Sequence, residues 1–104
     1  MRVVVVAVDP SLIHAYPGSI NLHYSPPSGG RSTVGHFVKE GDTAELVASE
    51  LARRIMSDRQ WCPGSFQAQV SGATVMIICK DEVANVTIYG DPGVDTLKIS
   101  EWGQ

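Results

Sequence analysis

The stretch Gly41-Asp42-Thr43-Ala44-Glu45-Leu46-Val47-Ala48-Ser49-Glu50-Leu51-Ala52-Arg53-Arg54-Ile55 decides the fold. Asp42 stands where a side-chain oxygen can cap the free amides of a first helical turn, and Glu45, three residues on, can reach back. Behind this start Ala44, Val47, Ala48, Leu51, Ala52 and Ile55 recur at intervals of three and four. They form one apolar stripe, with Glu45, Ser49, Glu50, Arg53 and Arg54 away from it. The spacing predicts one amphipathic helix ending near Ile55, stabilised mainly by laying its stripe on a sheet. The stripe alanines let the axis approach its partner closely, and Arg53 and Arg54 suit the carboxyl end of the helix dipole.

On either side of the helix the chain reads as strand. Arg2 to Val8 is a near-continuous β-branched run closed by Asp9-Pro10. Ile20, Leu22 and Tyr24 alternate with Asn21, His23 and Ser25, the pattern of a half-buried strand. Pro26, Pro27, Ser28, Gly29 and Gly30 make a turn cluster before strand-like residues Ser32 to Lys39, which predicts a hairpin. Beyond the helix Phe66, Ala68 and Val70 alternate with polar residues, Gly72-Ala73 interrupts, and Thr74 to Lys80 is apolar on both faces, as in a central strand. Val86 to Tyr89 and Thr96 to Trp102 are further short strands. The predicted class is α+β: a single domain, residues 1–104, with an antiparallel-rich sheet of six to seven strands and one amphipathic helix packed on it.

Composition agrees with one domain. A chain of 104 residues, 43% hydrophobic and 18% charged, holds enough apolar material for one core. It buries roughly two-thirds of its unfolded surface on folding. The net charge of −3 offers no broad cationic field, so neither nucleic acid nor an acidic membrane surface is an expected partner. No apolar run approaches the length of a membrane span. The opening Met1-Arg2 and valines resemble the beginning of a secretion signal, but the run stops at Asp9-Pro10 without a small-residue cleavage site, and no export is expected. Cys62 and Cys79 are too few for a disulfide framework and are expected as reduced thiols.

Sites of chemistry are sparse in the sequence. His14, His23 and His36 are not spaced two, three or four residues from one another or from a cysteine, so no metal or other cofactor is expected. Cys62-Pro63 lies in a predicted loop without a helix start to activate a thiol. Asp9, Asp91 and Asp95, in Pro- and Gly-containing segments, read as turn residues rather than acid–base groups. Gly29-Gly30-Arg31-Ser32 lacks the lysine and the strand–loop–helix setting of a phosphate cradle and reads as a hairpin tip.

From Ser19 to Ile88 the order is hairpin, the Gly41-Asp42-Thr43-Ala44 helix start, an alanine-rich helix closing at Ile55, and the hairpin Val70-Ser71-Gly72-Ala73-Thr74-Val75-Met76-Ile77. This resembles a small module of bacteriophage tail proteins, among them tail sheath, fibre and baseplate-associated components. The resemblance covers about two-thirds of the chain and leaves out the valine run and the residues from Asp91 onward. It implies a non-enzymatic virion protein of the tail, baseplate or fibre region, present in host cytoplasm during assembly, whose partners are other tail subunits and itself. It carries no catalytic residues. A surface-adhesion or carbohydrate-binding module on the same unit is the alternative reading.

Interface candidates follow from that reading. Val3, Val4, Val5, Val6 and Val8 would serve if the first strand adds to another subunit's sheet edge, and would be core if the strand is central. The loop residues Pro26, Pro27 and Arg31, and the large aromatics Trp61 and Trp102, are further candidates, with either tryptophan equally suited to its own core.

Overall fold

The helix start is built differently from its sequence signal. In the computed structural model, which describes residues 2–15, 18–25, 30–57, 66–80, 85–91 and 96–102, Asp42 turns backward. Its Oδ2 accepts the Lys39 amide at 2.8 Å and Nε2 of His36 at 2.9 Å. A turn closed by the Asp42 amide on the Lys39 carbonyl, with Gly41 at a φ of +89°, holds it there. The cap is therefore the next residue: Thr43 Oγ1 accepts the Leu46 amide at 3.1 Å, and Thr43 O accepts the Val47 amide at 3.0 Å. Leu46 now occupies the position that a returning glutamate needs, so the expected Asp42–Glu45 box does not form. Helix α1 (Ala44–Ser57) runs two residues past Ile55, and the Ser57 hydroxyl donates to the Arg53 carbonyl at 2.6 Å in its last turn.

The strands are β1 (Arg2–Val8), β2 (Ser19–Ser25), β3 (Ser32–Phe37), β4 (Phe66–Ser71), β5 (Thr74–Cys79), β6 (Thr87–Asp91) and β7 (Leu97–Trp102). The α+β class stands, with every strand pair antiparallel, but the strands form two sheets rather than one: β4-β5-β1-β7 and β3-β2-β6. The chain changes sheet between β6 and β7, which touch through packing instead of a ladder. Gly90 permits this, because a Cβ there would lie 2.7 Å from Cδ1 of Leu97. Within the first sheet Gly72, at a φ of +59°, opens the two-residue turn that joins Ser71 to its cross-strand partner Thr74.

The stripe of α1 is buried as its periodicity requires, with Val47, Ala48, Leu51 and Ile55 fully enclosed. The helix packs against β4, β5 and β1 of one sheet and β3 of the other, so the core lies between it and both sheets. On its β4 side it closes an edge, since the outward amide of Ala68 donates to the sulfur of Met56 at 3.2 Å.

Strand β1 is central. Arg2 to Ala7 pair with β5 on one side and Val3 to Val8 with β7 on the other. The strand-adding edge envisaged for the valine run is thus already filled from within the chain, as a run apolar on both faces favours. Arg2 anchors its start, donating to Glu101 at 2.8 Å and to the Val86 carbonyl.

Candidate functional site

The two faces of the four-stranded sheet differ. Val4, Val6 and Val8 share the inner face with Val75, Ile77 and Cys79 and join the core under α1. Val3 and Val5 point the other way, beside their cross-strand partners Ile78 and Met76. Val5, Met76 and Ile78 are half-buried and lie outside the core cluster, while Val3 is buried, at 8% exposed. Gln67 and Gln69 border this apolar strip on β4, and Lys98 and Ser100 on β7. The sequence pattern that reads as a strand buried on both sides thus yields one core face and one outward apolar face.

The three-stranded sheet carries a polar row on its outward face. Register sets His23 of β2 between Thr33 of β3 and Tyr89 of β6, and Asn21 opposite Asp91. His23 Nδ1 lies 2.7 Å from Thr33 Oγ1 and its Nε2 lies 2.5 Å from Asp91 Oδ2, while the Asn21 amide donates to Asp91 Oδ1 at 2.7 Å. The Tyr89 ring stacks on the imidazole at 4.9 Å. Burial raises the Asp91 carboxyl, but the hydrogen bonds from Asn21 and His23 outweigh it and hold the group below its ordinary value. A hydroxyl, an imidazole and a carboxylate in sequence are the parts of a nucleophile–base–orienter set. Here the ring is only 4% exposed, with both nitrogens engaged and one face covered, so the row ties three strands together. Asp91, read from sequence as a turn residue, is the hub of this row. Its partners lie 68 and 70 residues away, a distance that no local pattern encodes.

A second histidine–aspartate pair, His36 and Asp42, lies at the helix start with both side chains largely buried. The Lys39 amide first, and His36 second, lower the Asp42 carboxyl. His14 Nε2 is 2.9 Å from the Asp42 carbonyl and borders an open cleft of about 450 Å³ lined also by Ile13, Gly18, Val38 and Lys39. Cys79 is a free thiol in the core, raised by burial and thus held protonated. Asp9 accepts the Ser11 amide and hydroxyl, the local turn its sequence setting predicts. Among the described residues no three of His, Cys, Asp and Glu converge as a metal site, and no helix is long and apolar enough to cross a membrane.

Of the sequence-derived interface candidates, Val3 and Val5 face outward and Val4, Val6 and Val8 face the core. Arg31 is exposed just ahead of β3. Trp102 pairs through its backbone with Val3 at the end of β7. Pro26, Pro27 and Trp61, with Cys62 and Asp95, lie outside the described residues. No protein-family model, curated protein or solved structure matches this chain.

Proposed function

We propose that this chain is a non-enzymatic structural component of a phage virion, of the tail, baseplate or fibre region, which acts by docking onto neighbouring subunits and onto itself. The observation that supports the docking role is the outward row of half-buried Val5, Met76 and Ile78 on a sheet whose other face holds the core; Val3 beside them is buried. Apolar side chains on rigidly paired strands, bordered by glutamines, suit the core-and-rim composition of a protein interface. The assignment to a virion rests on the sequence resemblance.

Electron microscopy of the concentrated protein tests this reading, with rings, tubes or a defined oligomer expected. Val5→Thr, which keeps the β-branched shape of a half-buried side chain on a central strand, should weaken them at a melting temperature close to that of the unchanged protein. A strict monomer that also fails to bind tail proteins overturns the proposal. The carbohydrate-binding alternative draws on the outward face of the other sheet, where the exposed Tyr89 ring adjoins Asn21 and Asp91. A glycan panel tests it, with Tyr89→Ala as the control.

A further inference from the structure

Among the described residues strand β3 pairs on one side only, with β2. The ladder alternates, and the Val38 amide donating to the Gly18 carbonyl sets its phase. With that phase, the backbone groups of Ser32, Val34 and His36 point toward β2, and those of Thr33, Gly35 and Phe37 point away from it. No described residue is bonded to these outward groups. They open into a groove of about 290 Å³ between β3 and the carboxyl-terminal half of α1, lined by Thr33, Val34, Gly35, Arg53, Arg54 and Ser57. Gly35 makes room for the side chain of its cross-strand partner, since a Cβ there would meet Asn21 Oδ1 at 2.2 Å.

The charge of this groove opposes that of the chain. The protein carries −3 overall, yet Arg53 and Arg54 line the groove, while Arg31 just ahead of β3 acts on Asp91 instead. Glu50 takes both oxygens to Arg53, at 2.9 and 3.1 Å, while Arg54 has no carboxylate bonded to it among the described residues. An edge whose outward backbone groups meet no described residue, beside a cationic helix flank, fits an extended segment that supplies both ladder partners and carboxylates.

We infer that the β3 edge, with Arg54 and Arg53 beside it, is a docking site for an extended acidic segment of a partner protein, which adds as a fourth strand to the β3-β2-β6 sheet. The outward groups of Thr33, Gly35 and Phe37 span about 13 Å, room for a segment of about five residues. Alternate side chains of that segment face the arginines, where carboxylates belong, and the outward face beside Phe37, which is 64% exposed and suits an apolar residue. A second copy of this chain is the poorer occupant, because β3 meeting β3 about a two-fold axis brings two Arg53–Arg54 pairs together. This inference rests on the docking reading above and names a partner for a different face.

The test uses the full chain at low salt and an end-blocked peptide of about eight alternating valines and glutamates, followed by amide NMR and fluorescence polarisation. Binding should shift the amides of Thr33, Gly35 and Phe37 more than those of their inward neighbours. It should weaken with salt, and about tenfold in Arg54→Glu, whose exposed side chain can change without unfolding the chain. A valine–lysine peptide should not bind. Equal binding of the lysine peptide, or unmoved edge amides at millimolar peptide, overturns the inference. So does protection of those amides that grows with protein concentration alone, which would make β3 an edge for a second copy. If the peptide fails while Val5-dependent oligomers form, only this edge site falls. If the peptide binds while the protein stays monomeric and ignores tail proteins, only the virion reading falls.

Discussion

The two flanks of α1 face the two strand edges that border it, and they treat them differently. Toward β4 the helix sets Met56 against the outward Ala68 amide and fills the corner with Phe66, 2% exposed and packed on Tyr24 with ring centroids 4.9 Å apart. Toward β3 it leaves a groove lined by Arg53, Arg54 and Ser57 beside outward backbone groups. At β4 a soft apolar side chain meets one outward amide, and at β3 the outward groups meet no described residue and lie beside two arginines. Unpaired edges invite strand addition, and proteins cover those they do not use. Of the two edges that border the helix, β3 is the one whose outward groups meet no described residue.

The largest test acts on both flanks at once. Leu51 is fully buried at the middle of the stripe, and Leu51→Ala should cost about 2 to 5 kcal/mol in chemical denaturation. Amide exchange should rise in β3 and β4 together; a rise in one alone would mean that the helix is not a common support. Next, Thr43→Ala should cost about 1 kcal/mol through the lost cap, loosening the helix start near His36 before the Met56 end. Asp42→Ala should destabilise by another route, freeing the Lys39 amide and His36, and its exchange signature should centre on the 39–42 turn. A signature centred on the Leu46 amide would restore Asp42 as the cap.

Met56→Ala should cost about 0.5 kcal/mol, and its sharper readout is faster exchange at Ala68 alone. If Ala68 stays protected, the β4 edge is closed by something other than that sulfur. The smallest effect is electrostatic. The depressed Asp91 carboxyl contributes stability that is present above its ordinary pKa of 3.8 and lost as pH falls through the lower folded value. Asp91 is 48% exposed, so the contribution is about 0.3 kcal/mol. Below about pH 4 the β3-β2-β6 sheet should therefore loosen slightly ahead of the β4 sheet, and Asp91→Asn should reduce that difference, leaving the part due to the likewise depressed Asp42 carboxyl on His36 of β3.

The position of the helix, its buried stripe and both hairpins were legible because each is written in neighbouring residues. The stripe from Ala44 to Ile55 repeats within a single helix, and Gly72-Ala73 closes its hairpin within four residues. The cap falls one residue after its sequence signal because Asp42 and Thr43 are both good capping residues. The choice between them rests with His36 and the left-handed turn at Gly41.

The polar row on β2 shows the opposite case. Alternation alone puts Asn21 and His23 on one face, yet nothing near them announces Asp91 or Tyr89, which arrive through strand register. Likewise the valine run declares a strand apolar on both sides, but only its neighbours β5 and β7 decide that Val4, Val6 and Val8 meet the helix while Val3 and Val5 look outward. Local periodicity specifies which residues share a face because the backbone repeat is a property of the chain itself. Which face meets the core, where one sheet ends and a second begins, and which edge stays open depend on contacts between distant residues, and those exist only once the chain has closed on itself.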